Sequence, residues 1–206
     1  MILKVHQETP QERVIRKAVE HLEGGGLLIY PTDTVYGLGC SAESKGAIER
    51  IHLLKRRRPD RPFSFVCSDL THISEYARVG NAAFKVMKHL VPGPYTFVLP
   101  SARMKTLPRI LVSRRKTVGI RVPASPVTLA IVRLLGHPIL STSVTAPDGS
   151  ILTDPDAIAA LYGNDVGLIL DGGVLPCEPS TVLDLTGEEP RVIRLGAGDV
   201  AHLGLA

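Results

Sequence analysis

Residues 24–39, Gly24-Gly25-Gly26-Leu27-Leu28-Ile29-Tyr30-Pro31-Thr32-Asp33-Thr34-Val35-Tyr36-Gly37-Leu38-Gly39, hold the three events that decide the fold. The glycine triplet stops a helix, because backbone freedom there costs more entropy than an ordered turn returns. Leu27 to Tyr30 is apolar at every position, the pattern of a strand covered on both faces rather than of one half open to water. Pro31 to Gly39 then reads as a hydroxyl-rich loop punctuated by glycine. Upstream, Thr9-Pro10-Gln11-Glu12 offers an N-cap, a first-turn proline and a capping-box glutamate, which predicts a helix from Thr9 to about His21 or Leu22. A helix feeding a doubly buried strand is the signature of an α/β protein.

The same alternation continues downstream. Ser44 caps a helix through Ile48, Ile51 and Leu54, and Phe63 to Val66 follows as a strand. Asn81 to Leu90 reads as a helix halted by Pro92-Gly93-Pro94, with strands at Tyr95–Leu99 and Thr117–Val122. Ser125-Pro126 opens a helix that closes at Gly136, Pro138–Ser143 is a strand, and Asp154-Pro155 opens another helix. Val166–Leu170, Thr181–Leu185 and Val192–Leu195 complete the strands, and their succession near the C-terminus implies some antiparallel pairing. The expected architecture is an open twisted mixed sheet with helices on its faces, in a single domain over residues 1–206.

At 206 residues, 44% hydrophobic and 21% charged, the chain has material for a sizeable core. No apolar run reaches the roughly 18 residues of a membrane span, so no membrane association and a cytoplasmic location are expected. Cys40, Cys67 and Cys177 are widely separated, and reduced thiols are expected of them. The seven histidines lack His-x-x-x-His spacing, so no transition-metal site is expected.

The net charge is only +4, yet the charges are segregated. No carboxylate side chain lies between Glu75 and Asp148, a stretch with eleven lysines and arginines, Arg121 among them. From Asp148 onward ten acidic residues face only Arg191 and Arg194. A second concentration, Lys55-Arg56-Arg57-Arg58-Pro59-Asp60-Arg61, repels itself unless water or an anion compensates it.

Four hydroxyl-bearing segments accompany these cations. Besides Pro31–Gly39 they are Ser141-Thr142-Ser143, Lys116-Thr117-Val118-Gly119-Ile120-Arg121-Val122-Pro123 and Pro179-Ser180-Thr181-Val182-Leu183-Asp184. Period-two alternation puts Thr117, Gly119 and Arg121 on one strand face. Ligands in open α/β sheets gather at strand ends, where such hydroxyls would lie. No catalytic triad, P-loop or carboxylate pair is present. The combination suits a polyanion together with a small zwitterion.

In this order and spacing, the segments resemble the YrdC/YciO family of threonylcarbamoyl-adenylate synthases, over about residues 9 to 199, with Arg191-Val192-Ile193-Arg194-Leu195-Gly196 matching the family's closing strand. The resemblance implies a concave basic cavity that condenses threonine, bicarbonate and ATP, the last with Mg2+ on its triphosphate, for tRNA modification. It places threonine near Thr32, Thr34, Tyr36, Arg121 and Ser180. It places ATP near Lys55, Arg57, Arg58, Thr117, Ser141, Ser143 and Arg194, with Lys55, Arg57 and Ser143 as the catalytic side chains. Tyr36 and Thr32 are expected to line the pocket. Where synthases of the family usually carry Ser-x-Asn, this chain has Ser143-Val144-Thr145, a departure toward the YciO branch. The alternative function for the same groove is binding of tRNA or double-stranded RNA, and tRNA-modification enzymes are the expected protein partners.

Overall fold

The computed structural model describes residues 1–55, 63–102 and 116–203. In chain order the elements are β1 (Ile2–Lys4), α1 (Glu12–Glu23), β2 (Leu28–Tyr30), β3 (Gly37–Ser41), α2 (Lys45–Leu54), β4 (Ser64–Val66), α3 (Leu70–Tyr76) and α4 (Asn81–Met87). There follow β5 (Tyr95–Pro100), β6 (Thr117–Arg121), α5 (Pro126–Leu135), β7 (Ile139–Ser143), α6 (Pro155–Tyr162), β8 (Leu168–Asp171), β9 (Thr181–Asp184) and β10 (Arg191–Arg194). The strands form a ten-stranded sheet ordered β1-β8-β2-β3-β7-β4-β6-β5-β9-β10. Its pairing is mixed. β8 runs parallel to both β1 and β2, whereas consecutive β9 and β10 are antiparallel, as their spacing predicts. No helix among the described residues is long and apolar enough to cross a membrane.

Local chemistry explains most boundaries. Ser125 Oγ accepts the Thr128 N–H ahead of Pro126, and Gly136 closes α5 at φ 76°, a left-handed turn that a side chain would strain. Ser44 and Asp154 cap α2 and α6 in the same way. The first helix departs from expectation. Its N-cap is Gln11, whose side chain accepts the His6 N–H instead of capping the helix, while the Thr9 N–H and hydroxyl are both engaged with His6 Nδ1. The capping box therefore does not form, and the helix rests on packing instead: Ile15, Ala18, Val19 and Leu22 recur at i, i+3, i+4 and i+7 and are buried.

Two strands carry no clear sequence signal. β3 occupies residues read as loop and turn, so the loop after β2 ends at Tyr36. Neighbours override its glycine content, since β3 is hydrogen-bonded on both sides, to β2 and to β7. β1 owes its place to pairing with β8.

The two sheet faces are covered unequally. On one, α2, α3, α4 and α6 pack over Leu38, Phe65, Phe97, Ile120, Leu140 and Leu183. On the other, α1 and α5 pack together over Leu28, Val66, Ile139, Leu168 and Leu170. This second layer covers the β1–β8–β2 side. Over β6, β5, β9 and the outer halves of β4 and β7, no described helix lies on that face, and many of its side chains are small or hydroxylated.

Candidate functional site

The uncovered face is a cavity of about 300 Å³. Its floor follows the strand alternation: Ser64 and Val66 from β4, Thr96 and Val98 from β5, Thr117, Gly119 and Arg121 from β6, and Ser141 and Ser143 from β7. Thr32, Tyr36, Ser180, Ile193 and Arg194 form walls. The site thus lies across the middle of a sheet face, not at the strand ends where open α/β sheets were expected to hold it. Ser141 is inside β7 rather than beyond it. No helix of the described residues covers this part of the face.

An adjoining cavity of about 660 Å³ is lined by Lys55, Thr145, Tyr162, Asp165 and the 146–151 turn, and shares Thr142, Ser143 and Arg194 with the first. Together they make one elongated hollow. Of the residues expected to act together, Thr32, Tyr36, Thr117, Arg121, Ser141, Ser143, Ser180 and Arg194 line the first lobe, and Lys55 lines the second. Thr34 is buried behind the wall, with its hydroxyl 3.2 Å from that of Thr32. Arg57 and Arg58 lie outside the described residues.

Arg121 sets the electrostatics of the first lobe. Its guanidinium is ion-paired with Asp33, and each side chain is 11% exposed. The other Asp33 oxygen accepts the Ala124 N–H at 3.0 Å. Burial pulls Arg121 below its ordinary value, Asp33 opposes that pull, and Arg194 adds to it, so the two arginines feel one another. Arg121 Nε is buried without a hydrogen-bond partner, which leaves the cation under-compensated in the structure as it stands. Arg194 donates to Ser180 O at 2.6 Å, and Ser180 Oγ lies 2.8 Å from Thr96 Oγ1.

In the second lobe Lys55 stands at the end of α2. Its ammonium donates to Thr145 Oγ1 at 2.8 Å and to Tyr162 OH at 3.3 Å, while Tyr162 OH donates to Thr145 O at 2.6 Å. Position 145, where the sequence departs from the synthase pattern, is therefore where this lysine is held.

Tyr36 and Thr32 line the cavity, and the protein itself engages their hydroxyls. The Tyr36 phenol donates to Gly173 O at 2.6 Å and accepts from Gly172 N at 3.0 Å, with burial pushing it up to about 12. It pins the 172–173 turn while its ring lines the cavity. The Thr32 hydroxyl donates to Val35 O and accepts from Thr34 N, so much of the loop's hydroxyl content holds the loop's own shape. Sequence reasoning also passed over Asp33, Ser64, Thr96 and Tyr30. Alternation along β4 and β5 beside the Thr117–Arg121 face could have found Ser64 and Thr96. Asp33 and Tyr30 gave no signal, because their partners lie 88 and 111 residues away.

The profile of the Sua5/YciO/YrdC family, described as "Telomere recombination", matches residues 20–196. YciO of Escherichia coli K12 is 44% identical over 199 residues, 95% of each chain. The chain belongs to this family. The crystal structure of E. coli YciO superposes with a TM-score of 0.92 at 42% identity, covering 97% of both chains. A threonylcarbamoyl-AMP synthase of Pyrococcus abyssi is 31% identical over 92% of this chain and 56% of its own length. The structure of P. abyssi Sua5 complexed with L-threonine gives a TM-score of 0.90 at 30% identity, over 98% of this chain and 59% of that one. The fold of this Sua5/YciO/YrdC protein is thus shared with YciO along nearly its whole length, and with the synthases at lower identity.

Within the family fold, the hollow favours positioning over proton transfer. No carboxylate is among the described residues that line the first lobe, and Asp33 beside it has its two oxygens engaged by Arg121 and the Ala124 N–H. Asp33 is equally unsuited to holding a divalent cation, and no cluster of metal-binding side chains occurs among the described residues.

Proposed function

We propose that the chain condenses L-threonine, bicarbonate and ATP to threonylcarbamoyl-AMP, pyrophosphate and water. The observation that carries this reading is the single two-lobed hollow, with the buried Arg121–Asp33 pair in one lobe and Lys55 in the other, joined at Ser143 and Arg194. Arg121, with N–H donors beyond those that Asp33 takes, suits a carboxylate, and the Thr96–Ser180 hydroxyl pair in the same lobe suits the polar end of a small amino acid. Lys55 and Arg194 suit the phosphates of a nucleotide delivered as its Mg2+ complex.

The chemistry asks little of side-chain bases. Threonine's amine and bicarbonate give a carbamate with loss of water, and a carbamate oxygen attacks the α-phosphorus as the bond to pyrophosphate breaks. Charge gathers on phosphate oxygens, where fixed cations and hydroxyl donors act without reorganising. Alignment of the carbamate with the α-phosphate supplies the rest. The product, a reactive mixed anhydride, is passed on to the enzymes that modify tRNA adenosine.

The test is pyrophosphate release from ATP. Release that requires both threonine and bicarbonate, and that is lost in Arg121→Ala, supports the assignment. No release at saturating substrates, together with nucleotide-independent RNA binding that weakens steeply with salt, replaces it by the RNA-binding function.

A further inference from the structure

Tyr30 ends β2 with its whole side chain buried, yet its hydroxyl reaches the substrate cavity. It does so by crossing β3. Tyr30 is paired with Gly37, and Gly39 with Ser141, so a ring leaving β2 must pass over the two glycines to reach β7. A Cβ on Gly37 would stand 2.8 Å from Tyr30 Cζ, and one on Gly39 would stand 3.1 Å from Tyr30 Cε1. Gly37 and Gly39 therefore form a trough that fits the ring and nothing larger beside it. At its end, Tyr30 OH donates to Ser141 Oγ at 2.7 Å.

We propose that Tyr30 is a positioning residue that holds Ser141 Oγ as an acceptor and so directs the Ser141 hydroxyl proton at an anionic oxygen of the substrate. A serine hydroxyl has one proton and two lone pairs. Once the phenol occupies a lone pair, the proton is free, and Ser141 Oγ has no other hydrogen-bond partner among the described residues. Ser141 is 8% exposed, and its remaining surface faces the cavity beside Arg121. Burial pushes Tyr30 up to about 12, so the phenol keeps its proton, and its donor role, at any working pH. Donation into Ser141 also strengthens the bond Ser141 gives, since successive hydrogen bonds polarise one another.

The proposal rests on the cavity being the substrate site, and the experiment separates the two. ATP and threonine are titrated calorimetrically into wild type, Tyr30→Phe, Ser141→Ala and the double variant. Phenylalanine keeps the ring in its trough, and thermal melting checks that the fold survives. Tyr30→Phe is expected to weaken one ligand roughly tenfold, the scale of a hydrogen bond to a charged group; which ligand loses identifies the oxygen as phosphate or carboxylate. In the Ser141→Ala background the same change is expected to cost less than about twofold, because a residue acting through Ser141 has nothing left to direct. Equal losses in both backgrounds, or no loss for either ligand, overturn the proposal while leaving the functional assignment intact. Failure of wild type to bind either ligand overturns both.

Discussion

Asp33→Asn places the heaviest demand on the electrostatics of the site. The Arg121 guanidinium and the Asp33 carboxylate are both nearly out of water, and burial already pulls Arg121 down with Asp33 as the opposing influence. An arginine cannot shed its proton to escape an unfavourable site. Asparagine is isosteric but neutral, and its single carbonyl oxygen can serve either Arg121 or the Ala124 N–H, whereas the carboxylate serves both. Removing one partner of a buried pair costs about 3–5 kcal/mol, and the residual exposure argues for the lower end. For a chain of this size about 3 kcal/mol lowers the melting temperature by roughly 10 °C. The second readout is ligand rescue. An anion that binds at Arg121 replaces the missing charge, so threonine near saturation is expected to raise the variant's melting temperature by several degrees more than that of wild type. The reasoning is refuted if Asp33→Asn melts within about 2 °C of wild type, or if threonine shifts both proteins equally.

Three further outcomes follow from other parts of the molecule. Thr145→Asn, which frees Lys55 from the Thr145 hydroxyl and restores an amide, is expected to raise threonine-dependent pyrophosphate release by about tenfold; a fall would show that the threonine is needed where it stands. Burial holds His72 below its ordinary 6.5, with Glu75 and Asp69 opposing and His137 reinforcing. The unfolded chain therefore binds this proton first. Its stability contribution is complete above 6.5 and is lost as the pH falls toward the folded value, so denaturation at pH 7.5 and 5.5 should show a decline that is smaller in His72→Gln. In the native protein at pH 8, a thiol reagent should label Cys177, which is exposed, and spare Cys40 and Cys67, whose thiols burial pushes up. Mass spectrometry should find three labels only after unfolding, and rapid native labelling of Cys40 would contradict the packing.

The fold was legible wherever a local event carried the information. Ser125-Pro126 with Gly136, Asp154-Pro155, and the apolar strand Leu28–Tyr30 needed no distant partner to be read. β3 was illegible because two glycines in five residues argue against a strand, and only its place between β2 and β7 makes it one. Thr9 misled for a related reason: its capping signal was genuine, but His6 competes for the same hydroxyl. In the site, alternation correctly faced Thr117, Gly119 and Arg121 the same way. It could not show that Tyr36 spends its hydroxyl on Gly172 and Gly173, or that Asp33 crosses 88 residues to reach Arg121.

The half of the sheet face over which no described helix lies raises a stability problem whose solution also shapes the site. A sheet face without a helix over it must be polar, or it becomes a surface for unwanted association. Here serine, threonine and glycine alternate with Val66, Val98 and Arg121 at the open positions, and hydroxyl pairs join Tyr30 to Ser141, Thr32 to Thr34 and Thr96 to Ser180. A paired hydroxyl need not be exhausted: the Tyr30–Ser141 pair uses one proton and one lone pair and leaves the Ser141 proton unspent, whereas the Thr32 proton already goes to Val35 O. The floor can therefore stand against water without a ligand and still present a row of donors to one. Oxygen-rich anions satisfy those donors, and Arg121, Arg194 and Lys55 add the charge that a neutral hydroxyl floor lacks. An apolar ligand of the same size would cover the donors and satisfy none of them, at a cost of about 1–3 kcal/mol for each hydroxyl left unpaired. Under the proposed function, a sheet face over which no described helix lies is thus what suits the site to carboxylate and phosphate groups.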